Sequence, residues 1–216
     1  MTCCSAGIEQ GTFESLADHW LQIFEKSPEP TFFDSQTWQK TWWSEFGNDF
    51  KLQLLMVRSE SGDLKMIAPL MIDGTEISFL GSTDLVDYHD FLSRDRLNSS
   101  CIRSLVSGLS EMSEIETILL QSLPGNSPTI TQFRDEAENA GWRVDIEQEG
   151  VAPRMDLPGS WDEYLSALRK KDRHELRRKL RRLELAGVIT HVELSEPDDI
   201  EDSMAEFMRL HRMSTP

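Results

Sequence analysis

The chain has 216 residues, 38% hydrophobic and 28% charged, which allows one large domain or one and a half small ones around a real core. Six Trp and ten Phe supply bulk for that core without disulfide staples. A net charge of -16, from 38 acids against 22 bases, argues against general nucleic-acid binding.

No apolar run approaches membrane-spanning length. Met1-Thr2-Cys3-Cys4-Ser5 is not a basic patch followed by an apolar stretch, so no secretory signal is read there. Three Cys, two of them adjacent, make neither a disulfide framework nor a zinc site. The expected compartment is a reducing cytoplasm, with no metal.

In chain order, residues 12–26 carry Phe13, Leu16, Trp20, Ile23 and Phe24 at helical spacing, and Ser27-Pro28-Glu29-Pro30 ends that helix. A second helix starts after Asp34 or Ser35, both good N-caps, and stops at Gly47. Strands are predicted over 52–57, 64–72 and 76–80, with turns at Ser61-Gly62-Asp63 and Asp73-Gly74. A short fourth strand is expected over 88–92. Then come a helix over 97–112, a strand over 115–120, a helix over 130–140 ended by Gly141, and a strand over 142–146.

After a connector bracketed by Pro153 and Pro158, one long helix is read over 160–186, then a strand over 188–194 and a helix over 197–212. The order of helices, strand meander and alternating helix and strand predicts an α/β fold around a mixed sheet flanked by helices. The expected domains are 1–152, complete, and 153–216, partial.

Several phrases together resemble the CelD-like acetyltransferases, the FemAB-related branch of the GNAT superfamily. They are Phe33-Asp34-Ser35-Gln36-Thr37-Trp38 through Trp42-Trp43 to Phe46-Gly47, then Ala68-Pro69-Leu70, Phe79-Leu80-Gly81 and Asp87-Tyr88-His89-Asp90-Phe91-Leu92. Leu123-Pro124 follows. The most specific is Leu157-Pro158-Gly159-Ser160-Trp161-Asp162-Glu163-Tyr164-Leu165, leading to Arg173, Leu176-Arg177-Arg178, Arg181-Arg182-Leu183-Glu184 and later Leu210-His211. The resemblance covers nearly the whole chain. It implies two GNAT-like lobes with a ligand cleft between them, the second beginning near Leu157. Such a lobe needs on the order of a hundred residues, so the second is expected to be incomplete.

The resemblance also implies acyl transfer from acetyl-CoA or another acyl-CoA to an amine or hydroxyl, with a polysaccharide or cell-envelope precursor as the acceptor class. Two other readings stand beside it: FemAB-like transfer from aminoacyl-tRNA, the one nucleic-acid partner considered, and a non-catalytic shortened paralogue that binds a ligand or partner. GNAT proteins cradle the cofactor pyrophosphate on a Gln/Arg-x-x-Gly-x-Gly/Ala loop at a helix N-terminus. The sequence has no such loop; Gly108, Gly141 and Gly187 lack its flanking residues. That omission and the short second lobe favour the non-catalytic reading for these 216 residues.

Acyl transfer needs a base and a leaving-group acid. Asp87, Tyr88 and Asp90 are the candidate catalytic residues, either carboxylate as base and Tyr88 as proton donor to the thiolate, with His89 in a binding role. Strand alternation would place Asp87 and His89 on one face and Tyr88 and Asp90 on the other. The plain alternative is a polar loop in which Asp87 caps a turn.

Nine of the 22 bases fall between Arg169 and Arg182. On one helix, Leu165, Leu168, Leu176, Leu180 and Leu183 form an apolar stripe, flanked by Arg173, Arg177 and Arg181, with Arg178 and Arg182 opposite. The first flank could face an anionic small-molecule ligand: cofactor phosphates, a nucleotide-linked sugar or a tRNA end. The alternative is a solvated basic face. Trp43, with Trp38 and Trp42, could wall a pocket, although aromatics at helical spacing are more often core. The five His show no metal spacing.

Overall fold

The computed structural model describes residues 8–59, 61–81, 84–95, 99–190, 192–194 and 196–214. The chain divides after Gly150 into two compact units.

The first unit is built on an open mixed sheet. Strands β1 (Ile8–Gly11), β2 (Lys51–Arg58), β3 (Leu64–Asp73), β4 (Glu76–Phe79) and β6 (Thr117–Leu119) lie side by side in that order. The β1–β2, β2–β3 and β3–β4 pairs are antiparallel, and β4–β6 is parallel. The two-residue β5 (Leu92–Ser93) pairs antiparallel with Met66 and Ile67 of β3, while Leu70 to Asp73 pair with β4. Pro69 falls between these two stretches, where its lack of an N–H is tolerated, and its carbonyl accepts the Leu80 N–H at 3.0 Å.

Helices cover both faces. Within β2, Leu55 and Val57 point to one side and Leu54 and Met56 to the other. The first side packs on α3 (Ser99–Ser110) and α4 (Pro128–Asn139) through Ile102, Leu105, Leu109 and Phe133. The second packs on α1 (Phe13–Phe24) and α2 (Gln36–Phe46) through Leu16, Trp20, Ile23 and Trp42. Leu16 and Ile23 alone contribute roughly 1.5–3 kcal/mol each by burial. Burial on both faces explains why β3 reads Met66-Ile67-Ala68-Pro69-Leu70-Met71-Ile72, with no polar residue to mark a solvent side.

The helix starts follow their caps. The Thr12 hydroxyl accepts the Ser15 N–H, Ser35 accepts the Trp38 N–H, and Ser127 accepts the Thr129 N–H with Pro128 at N1.

The second unit contains α5 (Trp161–Ala167), α6 (Lys170–Ala186) and α7 (Pro197–Ser214). The expected single helix over 160–186 is therefore two. Leu168 and Arg169 are both extended, with ψ of 147°, and the Arg173 Nη1 donates to the carbonyls of Leu165, Ser166 and Leu168 at 3.2–3.3 Å. An arginine thus satisfies the helix end, so the break carries neither Gly nor Pro to signal it. Leu165 is buried, α6 buries no side chain, and every described side chain of α7 is exposed.

Three expected strands are corrected. Residues 88–91 are irregular, leaving only Leu92–Ser93 paired; 142–146 form no strand; and the described part of 188–194, which excludes His191, forms none. In 142–146 the apolar residues are instead partly used as packing, since Trp142 and Val144 rest on the α3/α4 side of the core. Strand β1, absent from the sequence reading, extends the sheet beside β2.

Candidate functional site

One cleft of about 330 Å3 is assembled from three stretches of the first unit: the segment after α1, the irregular run before β5, and the turn entering α4. Their polar side chains are Ser27, Glu29, Thr31 and Asp34; Tyr88, His89, Asp90 and, in β5 itself, Ser93; and Asn126 and Ser127. Among the described residues, the cleft lining carries three carboxylates and neither Lys nor Arg.

Asp34 is fixed by its own turn. Its Oδ2 accepts the Thr31 N–H and the Thr31 hydroxyl, both at 2.7 Å, while its main-chain oxygen accepts the buried Trp20 Nε1 at 2.8 Å. Burial holds the Asp34 carboxyl above the usual carboxylate range, the two Thr31 bonds work against this, and the nearby Asp90 charge adds to it.

Asp90 is held by the α4 entry. Its Oδ2 accepts the Ser127 hydroxyl and its Oδ1 the Thr129 hydroxyl, both at 2.5 Å; Oδ1 also accepts the Phe91 N–H at 2.8 Å. Such short O–H···O contacts belong to charge-assisted bonds. Burial nevertheless outweighs them and pushes the carboxyl up. Ser127 does two jobs, since the same oxygen caps α4.

His89 is 5% exposed and stacks on Phe79 at 5.3 Å. Among the described residues, neither ring nitrogen has a hydrogen-bond partner of good geometry. Burial pushes its pKa down to about 4, against smaller upward pulls from main-chain groups of Gln121 and Leu80 and from Glu149. The ring is therefore neutral near pH 7. Gly81, with φ of +137°, makes room for it: a Cβ there would stand 2.6 Å from the His89 Nε2. The His89 N–H donates to the carbonyl of Ser122, a non-glycine residue with φ of 60°.

The sequence-read residues are only partly gathered. Tyr88, His89 and Asp90 line the cleft, Tyr88 being 37% exposed. Asp87 is exposed and lies outside the lining. The alternation expected for 87–90 fails because these residues are not in a strand: His89 is buried, while both Asp87 and Tyr88 are exposed. Trp43 lies apart, its indole over Gly47, where a Cβ would come within 2.5 Å of it. Arg173, Arg177 and Arg181 belong to the second unit; Arg173 is engaged by carbonyls, and Arg181 Nε donates to the Arg177 carbonyl at 3.4 Å.

The sequence reading missed Asp34 and Ser127 as cleft groups, and Thr129 as a buried donor to Asp90. Asp34 was read as a helix cap and α4 was expected only from residue 130, two residues after its start at Pro128, and nothing local shows that Asp34 and Ser127 share a cleft with Asp90. Among the described residues, no group of three or more His, Cys, Asp or Glu is placed to hold a metal, and no helix is long and apolar enough to cross a membrane. No family model matches the chain, and no curated protein or solved structure matches it.

Proposed function

We propose that the chain is an acyltransferase of the CelD-like, GNAT-related type, which moves an acyl group from acyl-CoA to an amine or hydroxyl, and that the acidic cleft is its acceptor site. The observation that carries this reading is Asp90: a carboxylate in a cleft, held by three donors yet raised in proton affinity by burial. Such a group can take a proton and remain in place. The CelD-like and GNAT assignment, the polysaccharide or envelope class of acceptor and the acyl-CoA donor rest on the sequence resemblance.

In the reaction, the acceptor nitrogen or oxygen attacks the thioester carbonyl carbon. Asp90 accepts the proton released from the acceptor, the C–S bond breaks, and the thiolate leaves, taking a proton from the Tyr88 phenol or from water. Neutral His89 lines the cleft, its ring backed by the buried Phe79 on which it stacks. The phosphates of acyl-CoA do not suit this cleft, whose lining offers Glu29, Asp34 and Asp90 and, among the described residues, neither Lys nor Arg. The donor's charged end therefore belongs elsewhere.

The test is thiol release from acetyl-CoA in the presence of a panel of primary amines and alcohols. Turnover that falls about a hundredfold or more in Asp90→Asn, with little change in KM, supports Asp90 as the base. Absence of thiol release with every acceptor, or an undiminished rate in the variant, rejects the proposal.

A further inference from the structure

A second, smaller cleft of about 190 Å3 lies in the same unit, and its lining has the opposite character. It is formed by His19, Gln22, Ile23 and Lys26 from α1 and the residues just after it, by Arg58, Gly62, Asp63 and Leu64 around the β2–β3 turn, and by Arg94 just after β5. Three permanent cations face one hollow, with Asp63 as the one carboxylate among the described residues of the lining.

This convergence runs against the charge of the unit. Residues 1–150 carry ten Lys and Arg against 25 Asp and Glu. Most described bases of the unit sit against a carboxylate: Lys40 on Glu14, Lys51 on Glu114, Arg103 on Glu136, Arg134 on Asp135 and Arg143 on Asp145. The side chains of Lys26 and Arg94 make no hydrogen bond or ion pair among the described residues, although acids are plentiful. Arg58 is anchored, donating from Nε to Glu9 Oε2 at 3.0 Å and from Nη1 to the Gly62 carbonyl at 3.1 Å. Asp63 is turned to a local task, accepting the Ser61 hydroxyl at 2.9 Å. Cations that repel one another across a hollow, with two of them unneutralised, match a ligand that brings its own negative charge.

We infer that this cleft binds a small phosphorylated ligand, with Arg94 and Lys26 contacting the phosphoryl oxygens and Arg58 held beside them. Arg94 supplies a planar fork of donors and Lys26 a mobile point charge, the two complementary ways of meeting phosphate. The volume suits one phosphoryl or pyrophosphoryl group rather than a whole nucleotide. His19 stands at the same wall and can donate or accept through its imidazole. The assignment is one of binding and does not depend on acyl transfer. It does place an anion site next to the acidic cleft, because Lys26 precedes Ser27 and Arg94 follows Ser93, and both serines line that neighbour.

The experiment is calorimetric titration of the full chain with inorganic phosphate, pyrophosphate and succinate. The variants are Arg94→Gln, Lys26→Gln and, as a control outside the cleft, Lys40→Gln. Saturable pyrophosphate or phosphate binding, weakened about tenfold or more by Arg94→Gln or Lys26→Gln and unchanged in Lys40→Gln, is the expected result. Lys26 is exposed, so its variant keeps the test valid should Arg94→Gln perturb folding. Absence of saturable phosphate and pyrophosphate binding overturns the assignment. Equal weakening by all three variants shows general charge attraction and also overturns it, as does succinate binding as tight as phosphate.

Discussion

The two clefts of the first unit are neighbours along the chain and opposites in chemistry. In the acidic cleft, Asp34 and Asp90 are satisfied by Thr31, Ser127, Thr129 and main-chain N–H groups. In the basic cleft, the Lys26 and Arg94 side chains have no partner among the described residues, whereas Arg58 is tied down. The first arrangement fixes a proton acceptor in position; the second leaves charge to be neutralised by something else. Net charge tells nothing of this. A chain at -16 places a cationic hollow one residue away from an anionic one.

The sharpest way to break the acidic cleft without touching a carboxylate is Gly81→Ala. The new methyl would collide with His89 Nε2 and Val86, at a φ that L residues rarely adopt. A loss of about 3 kcal/mol or more is expected in chemical denaturation. A loss within about 0.5 kcal/mol, the range of ordinary surface changes, would mean that His89 is not locked against Gly81.

His89 gives the next effect. Its folded pKa of about 4 lies below the ordinary value of 6.5. Between these values the unfolded chain binds the proton and the folded chain does not, so stability falls as pH drops from about 6.5 to about 4. The loss amounts to roughly 2–3 kcal/mol. Asp34 and Asp90 act in the opposite sense, since their raised pKa values favour the folded state once they are protonated. His89→Gln should therefore flatten or reverse the acid limb of wild-type stability, whereas superimposable wild-type and variant limbs would show that the imidazole is not the group responsible.

Ser127→Ala is smaller. It removes the α4 cap and one donor to Asp90, so about 1–2 kcal/mol of stability should go. Asp90 should at the same time become a weaker acid, measurable by carboxyl carbon NMR titration. An unchanged Asp90 titration would mean that the short hydroxyl contact does not stabilise the charge. Least of all, Lys40→Gln outside both clefts should leave the denaturation midpoint unchanged, because its pair with Glu14 is exposed and screened by solvent. A measurable shift would upset the contrast between exposed pairs and cleft groups.

Much of the first unit was legible because its local signals are self-sufficient. Ser35 marks the start of α2 and Asp73-Gly74 marks the β3–β4 turn, each by a bond or dihedral confined to a few residues. The failures are non-local. The α5–α6 break depends on Arg173 reaching back to Leu165, Ser166 and Leu168. Residues 142–146 alternate like a strand, yet no neighbouring strand takes their main chain. Of the cleft, the Tyr88-His89-Asp90 run could be singled out from composition. Its meeting with Asp34 and Ser127 joins residues some forty to ninety apart, and the basic cleft likewise draws Lys26, Arg58 and Arg94 from three separate elements, which periodicity does not report.

The most direct measurement is the pH dependence of kcat/KM for thiol release, in wild type and Asp90→Asn. The base must be ionised to accept the acceptor's proton, so the rate should fall as pH drops through the Asp90 pKa. Burial displaces that limb above the ordinary carboxylate value of 3.8. This displaced limb is expected in wild type, and its disappearance, with a much lower plateau, in Asp90→Asn. A limb at the same pH in both proteins, or a rate independent of Asp90, would contradict the assignment of this carboxylate as the base.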